Sequence, residues 1–497
     1  MQKSKKNLLS NLIQEVLYNS LAQATLRIIQ TPHTLLKIFL FACILTSLSF
    51  ASYMVVKSVL IYFSFDVNTS TRFIFETAPL FPKITICNLN PFTTKYAHEL
   101  LAQINSSYNF LREESLIQNL TFKQKYDFVE NFTMDAMSFV NEKNFSKDNQ
   151  KKLGHSLEDI LISCQFAYQT CNIEDFTQSF NNIHGNCFSF NTGFYANGTK
   201  SNLKRTSIVG ADYGFTLELY MNSYETLSTL NAYGGGLGAL LFIENSSYLI
   251  DHPNGGIKLA CGSHTDIQID RELNFMLPKP YSACEIETDS SPSIAVNEGT
   301  SDLFKTIYHS EYAYSQTFCL QQCFQKTLAQ ECNCSDSSMN SLYSTVPCES
   351  NAIMYNCDTR EYEEYIEYVD HTCLPQCPLE CNFTKYKTIL TSYLLTGDLY
   401  VDYIRQNKNL SMDYISIEPT KISKELAAKG VLSFSVFYES LAYKVSRETP
   451  KMDVVSLLAS VGGNLGLFLG ISLFSVCEVI EVLMEYYFLL KKMNFKN

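Results

Sequence analysis

Gly470, Ile471 and Ser472, followed by Glu478 and Glu481, are the residues of this chain whose types and spacing suit a chemical task. Backbone carbonyls brought close by a glycine, joined by a serine hydroxyl, can replace the hydration shell of a passing cation, and carboxylates beneath them suit a cation path. Carboxylates at or near membrane depth are costly and generally face a bundle interior or a watery route. The segment that holds them places 24 uncharged residues, Val454 to Cys477, between Asp453 and Glu478, enough to cross a bilayer at about 20 apolar residues per helix. Gly462, Gly463, Gly466 and Gly470 would each cost about 1 kcal/mol relative to alanine inside an isolated helix, so something must offset them. Gly462, Gly466 and Gly470 recur every four residues, and this side-chain-free stripe suits either close packing of membrane helices or the lining of a cation path.

A second chemistry belongs to cysteine. Cys319-x3-Cys323, Cys332-x-Cys334 and Cys373-x3-Cys377-x3-Cys381 have spacings short enough for tetrahedral zinc and equally suited to disulfides. Fourteen of the 17 cysteines lie at Cys87, Cys164, Cys171, Cys187 and from Cys284 to Cys381, which leaves Cys43 and Cys477 in apolar segments and Cys261 as the odd one out. Ten glycosylation sequons share that middle region, at Asn68, Asn105, Asn119, Asn131, Asn144, Asn197, Asn245, Asn333, Asn382 and Asn409. They point to an oxidising compartment, where disulfides persist, so disulfides are expected and a metal is not. Cys319 and Cys323, one helical turn apart, share a face and can form two rungs with Cys377 and Cys373, each worth about 2 to 4 kcal/mol. His184, His252, His264, His309 and His371 lack paired metal-ligand or triad spacing, so no catalytic residues and no cofactor are expected.

The elements that must position these residues follow from hydrophobic runs and charge. Residues 1–37 carry Lys3, Lys5, Lys6, Arg27 and Lys37 against the single acid Glu15, which marks a cytoplasmic tail. The 19 uncharged residues from Ile38 to Val56 make about 28 Å of helix at 1.5 Å per residue, enough to cross the hydrocarbon. The tail before them is too long for the basic region of a signal peptide, and no small-x-small cleavage site is obvious. Lys491, Lys492 and Lys496 put the C-terminus in the cytoplasm as well. The expected order is therefore a tail at 1–37, a membrane helix at 38–62, an extracellular Cys-rich domain at 63–452, a second membrane helix at 453–485 and a tail at 486–497. Trp is absent, so interfacial anchoring falls to residues such as Tyr53, Tyr62, Tyr486 and Tyr487. A net charge of -12 without basic runs excludes nucleic acid as partner. Phe215 to Met221 alternates as a strand should, and Leu432 to Tyr438 does so approximately.

Several motifs, taken together and in order over nearly the whole chain, resemble the epithelial sodium channel, degenerin and acid-sensing channel family. They are Phe81-Pro-Lys-Ile-Thr-Ile-Cys87-Asn88-Leu-Asn90, Gly185-Asn186-Cys187-Phe-Ser-Phe190-Asn191, Leu277-Pro-Lys-Pro-Tyr281-Ser-Ala-Cys284, Cys381-Asn-Phe-Thr-Lys-Tyr386 and Gly462-Gly-Asn-Leu-Gly466-Leu-Phe-Leu-Gly470-Ile-Ser472. The resemblance implies an α+β membrane protein, a trimeric channel whose subunits each have two transmembrane helices flanking a large disulfide-rich extracellular domain of palm, β-ball, knuckle, finger and thumb. The finger would cover about residues 92–165 and the thumb about 285–380. It implies the disulfides Cys87–Cys187, Cys164–Cys171, Cys284–Cys381, Cys319–Cys377, Cys323–Cys373, Cys332–Cys357 and Cys334–Cys348. Gly470, Ile471 and Ser472 would be the selectivity filter. Ala459, Ser460, Gly463, Leu467, Glu478 and Glu481 would line the pore and gate, and Phe65 and Tyr281 would couple the outer domain to the membrane. The acidic run from Asp358 to Asp370 reads as a solvated helix face, while the resemblance sets Glu363 and Glu367 beside a cavity of paired carboxylates.

The function implied is a sodium-selective, amiloride-sensitive cation channel of the plasma membrane, multi-pass, ligand-gated or constitutively active. Its implied partners are related subunits in a homo- or heterotrimer, membrane lipid, permeant sodium ions and an extracellular peptide or small-molecule ligand. The chain also departs from the family. Its usual His-Gly pair before the first crossing reads Ala22-Gln23 here, the His and Asp positions of proton-responsive members hold Val67 and Arg72, and the C-terminal tail lacks Pro-Pro-x-Tyr. A non-conducting or obligate partner subunit is the alternative these departures favour. A trimeric ATP-gated channel would share the two crossings, but no basic phosphate-binding patch is visible and Gly470-Ile-Ser472 would go unexplained.

Overall fold

Thr34 to Phe63 form one 30-residue helix, α1, apolar all round, with only Ala51 and Ser58 buried. A computed structural model of the chain describes residues 32–97, 99, 100, 103, 137, 140, 145–221, 238–245, 255–286, 301–310, 314–336, 339–343, 346–348, 352–395, 399, 402, 430–470 and 484. With no glycine or proline to interrupt it, α1 is long and apolar enough to cross a membrane by length and composition. It runs past Lys57, which ends the uncharged stretch, and stops where Phe65 turns left-handed at φ 51°. The chain divides into two compact units, one from Met1–Ser70, Lys279–Ser282 and Glu448–Asn497, the other from Thr71–Pro278 and Ala283–Arg447.

The described strands form two large sheets and one two-stranded pair. In chain order the strands are β1 (Val67–Phe75), β2 (Lys83–Asn88), β3 (Leu161–Phe166), β4 (Gln169–Thr170), β5 (Phe176–Asn181), β6 (Gly185–Phe190), β7 (Phe215–Tyr220), β8 (Gly238–Glu244), β9 (Ile257–Ala260) and β10 (Ser263–Phe275). They continue with β11 (Cys334–Ser335), β12 (Val346–Pro347), β13 (Asn382–Leu394), β14 (Val431–Tyr438) and β15 (Ala442–Pro450). One sheet has the order β1-β15-β10-β14-β7-β3-β4, with β13 also paired to β10, and the other has the order β5-β6-β2-β8-β9. β10 runs parallel to β14 and β15 and antiparallel to β13. Its side chains alternate, with Thr265, Ile267, Ile269 and Arg271 buried and the even positions half-buried. One core holds Phe190, Phe215, Leu217, Ile267, Ile269, Phe434 and Val436, and the Phe190 and Phe215 rings stack at 4.3 Å. Ser433 and Ser435 are buried too, because β14 is covered on both faces, and this is why its alternation was only approximate in the sequence.

Three helices lie in the cysteine-rich stretch from Cys284 to Cys381: α2 (Asp302–Tyr308), α3 (Gln316–Glu331), which carries Cys319 and Cys323, and α4 (Ala352–Thr372), which carries Cys357. Ser301 and Ser315 cap the first two, each hydroxyl accepting a backbone N–H at 3.1 Å from Phe304 and Phe318. Disulfides join Cys319 to Cys377, Cys323 to Cys373, Cys332 to Cys357, Cys334 to Cys348 and Cys284 to Cys381. Two more join Cys87 to Cys187 and Cys164 to Cys171. Cys43 and Cys261 are free, and burial pushes the Cys261 thiol up to about 12. Of the region expected as a finger, a small cluster of Phe92, Ala97, Met137, Val140 and Leu153 lies among the described residues. A further helix, α5 (Val454–Leu469), is 16 residues long, about 24 Å at 1.5 Å per residue.

Candidate functional site

Asp453 opens α5 by accepting the Ser456 N–H at 2.7 Å. The helix closes at Gly470, which adopts a left-handed φ of 67° while its N–H reaches the Gly466 carbonyl at 3.0 Å. A side chain is disfavoured in that conformation, and so a glycine ends the helix here. The apolar run continues beyond Gly470 in the sequence, so the break comes from backbone geometry and not from a change in hydropathy. Ile471, Ser472, Glu478 and Glu481 lie outside the described residues.

Burial along α5 follows the helical period. Leu457, Ser460, Val461, Asn464, Leu465 and Phe468 are half-buried, and this face packs on α1, with the Phe50 and Phe468 rings 5.4 Å apart and the Ser47 hydroxyl donating to the Phe468 carbonyl at 2.8 Å. Ala459, Gly462, Gly463, Gly466 and Leu467 are exposed on the opposite face, Leu467 at 78%. A Cβ added at Gly462, Gly463 or Gly470 would meet nothing within 4 Å. The glycine stripe therefore does not serve packing between α1 and α5. Of the six residues expected to line the pore and gate, Ala459, Gly463 and Leu467 share this open face, Ser460 sits on the side of α1, and Glu478 and Glu481 lie outside the described residues.

Just after α1, the Phe65 and Tyr281 rings meet edge to face at 5.6 Å, and Phe65 also lies near Tyr62 and Phe63. Lys451 binds Asp66 twice, through its ammonium at 3.0 Å and through its N–H to the Asp66 carbonyl at 2.9 Å. The hydrogen bond from Lys451, followed by that from Ser64, holds the Asp66 carboxyl below the usual range. Sequence reasoning missed this pair and Ser47. Opposite charges a few residues outside two apolar segments were the available signal for the first.

The acidic helix brings less together. Glu367 is exposed on α4, and the side chain of Glu363 lies outside the described residues. Glu361 is buried and paired to Arg360 at 2.8 Å. Its carboxylate lies within 4.8 Å of the Cys332 and Cys357 sulfurs, but those are joined to each other and offer no thiolate to a metal. Among the sequon asparagines, Asn68, Asn197, Asn333 and Asn382 are exposed and Asn245 is half-buried, while Asn105, Asn119, Asn131, Asn144 and Asn409 lie outside the described residues.

The family model described as amiloride-sensitive sodium channel matches residues 17–482. The acid-sensing ion channel 1A of Danio rerio is 25% identical over 459 residues, covering 89% of this chain and 81% of that protein. The bile acid-sensitive ion channel of Mus musculus is 25% identical over 473 residues, covering 91% of this chain and 83% of that protein. The epithelial sodium channel subunit gamma-2 of Xenopus laevis is 23% identical over 340 residues, covering 68% of this chain and 47% of that protein.

Proposed function

The chain belongs to the amiloride-sensitive sodium channel family, whose members are ion channels and not enzymes, and from that membership we propose that it is a pore-forming subunit of a trimeric, sodium-selective, amiloride-blocked channel. It sits in the plasma membrane, crosses it twice through α1 and a second span beginning with α5, and keeps both termini in the cytoplasm. The cysteine-rich domain between the spans is extracellular and carries N-linked glycans on exposed sequons such as Asn68, Asn197, Asn333 and Asn382. The observation that carries the pore reading is the open face of α5. Ala459, Gly463 and Leu467 lie along it with the glycines, turned away from α1, and it ends where Gly470 breaks the helix. Three such faces around an axis would line a path, with Gly470, Ile471 and Ser472 as the narrow ring and Glu478 and Glu481 below it. The thumb and the rest of the outer domain would receive an extracellular peptide or small-molecule ligand and transmit it through Phe65 and Tyr281.

The test is expression of the full chain in oocytes, alone and with related subunits, with currents recorded in sodium and then in potassium. An amiloride-blocked current whose reversal potential follows sodium supports the reading. A surface-expressed chain that yields no current alone, but changes the permeability or block of a co-expressed relative, supports the second reading of an obligate partner, which Ala22-Gln23 in place of His-Gly favours. Normal surface levels with neither effect would reject both.

A further inference from the structure

We propose that Ser47, on α1, is the positioning residue that holds the broken end of α5 and thereby sets ion selectivity, an inference that rests on the reading of Gly470 to Ser472 as the selective ring. α5 ends at Leu469 with Gly470 left-handed, so the carbonyl of Phe468 is one of the last-turn carbonyls for which a helix supplies no N–H of its own. In hydrocarbon such a carbonyl needs a partner. The Ser47 hydroxyl supplies it at 2.8 Å. This donation departs from the pattern on the same helix, where Thr46 donates to Ala42 and Ser58 donates to Met54, both at 3.0 Å and both within α1. Phe50, one turn along α1, packs its ring on Phe468 at 5.4 Å and fixes the approach. Ser47 thus ties the last turn before the break to a helix that does not itself break.

Reversal potentials measured on Ser47→Ala should report a sodium over potassium permeability ratio lowered about 2- to 10-fold, the range that one hydrogen bond's net worth allows. Surface biotinylation should be unchanged, and Ser47→Thr, which keeps the hydroxyl, should restore the ratio. If Ser47→Ala does not reach the surface, Ser47→Cys, with a weaker donor of similar size, is measured against the same criteria. An unchanged ratio in conducting Ser47→Ala or Ser47→Cys channels overturns the assignment. Ser472→Leu measured alongside separates the two levels: if it shifts the ratio while the Ser47 variants do not, only the role of Ser47 fails. If neither shifts it, the reading of the selective ring fails as well.

A different observation carries a second inference, independent of conduction: the structure assigns one buried water to the joint between Asn90 and Asn186. Both residues flank the Cys87–Cys187 disulfide in the motifs of the sequence, and both line a single small cavity with Pro91, Gly154 and His155. Neither amide can be turned. Asn90 Oδ1 accepts the Phe92 N–H at 2.9 Å, and Asn186 Nδ2 donates to the carbonyls of Lys151, Gly154 and His155 at 2.7, 2.9 and 3.2 Å. What remains is a buried donor, Asn90 Nδ2, and a buried acceptor, Asn186 Oδ1, each without a partner among the described residues. A donor, an acceptor and about 10 Å³ of space for the centre of a water-sized body suit a single water and nothing larger. A cryo-electron map of the full-length channel at a resolution that reveals buried waters should contain density within about 3.2 Å of both atoms. No density there, in a map that resolves other buried waters, would overturn the assignment, as would a direct bond between the two amides.

Discussion

Replacing Gly470 with alanine tests whether the break in α5 is what makes the segment selective. The φ of 67° costs an L-residue about 1 to 2 kcal/mol. Alanine also gains about 1 kcal/mol over glycine if the helix instead continues. The two effects add, because both favour a straight helix, and a total of about 2 to 3 kcal/mol corresponds to a shift of about 30- to 150-fold toward the unbroken form. Steric conflict within the subunit does not enter, since the added Cβ would meet nothing within 4 Å. In an unbroken helix Glu478, eight positions on, would sit about 80° around from Gly470 and so leave the open face. Bi-ionic reversal potentials should therefore lose sodium preference in Gly470→Ala, with surface expression retained. Gly462→Ala and Gly463→Ala serve as controls, being helical and equally open within the subunit. Conducting Gly470→Ala channels with unchanged selectivity would refute the reasoning. If instead the two control variants lost surface assembly, the stripe would be a contact between subunits and not a lining.

The open face also makes Ala459 sensitive to size. Ala459→Phe should overpack a closed pore by about 1 to 3 kcal/mol per strained site and produce a standing amiloride-blocked leak, read with surface biotinylation; normal surface levels without added leak would reject its pore-lining place. A step to about pH 5 should not by itself open homomeric channels, since Val67 and Arg72 stand where proton-responsive members of the family hold His and Asp; a large, fast, amiloride-blocked inward current would overturn this. Glu380 is buried, and burial holds its carboxyl above the usual range despite backbone N–H groups that lower it. A raised folded-state value means that ionised Glu380 costs stability near pH 7, and that this cost vanishes as pH falls through the folded value toward that of the unfolded chain. Glu380→Gln should accordingly raise the Tm of the purified full-length protein at pH 7.5, with the advantage narrowing toward about pH 4.5, and a gain that does not depend on pH would contradict that account.

How far the sequence could be read depends on whether a feature is local. The first apolar helix was legible because 19 uncharged residues leave few alternatives, and the structure adds that it runs on through Lys57 to Phe63. β7 was legible from its alternation, whereas β14 was blurred because two covered faces remove the period-two signal on which the reading depends. The disulfide partners came from resemblance, since spacing alone cannot choose among pairings of this many cysteines. α5 lies between these cases. A glycine every four residues is the spacing of a helix face, so nothing in the pattern marks Gly470 as the one that leaves the helix. Its left-handed φ is what marks it. Ser460 was grouped with Ala459, Gly463 and Leu467, but its turn of the helix faces α1.

The features least visible in sequence are pairs whose members only the fold brings together. Asp66 and Lys451 are 385 positions apart, and Ser47 and Phe468 are 421 apart. A serine in an apolar run reads as a tolerated polar residue, because its hydroxyl ordinarily bonds back to its own helix. Ser47 becomes informative only when another helix offers a carbonyl left over by a break. The break and the serine thus account for each other, and the position of Gly470 gives a hydroxyl of α1 its partner. The same reasoning applies to the Lys451 clamp, which joins the chain just after α1 to the chain just before α5 by a backbone and a side-chain bond together. With Lys451 fixing the start of α5 and Ser47 fixing its end against the same helix, α5 is tied at both ends on one side, and its free face is the one that carries Ala459, Gly463 and Leu467.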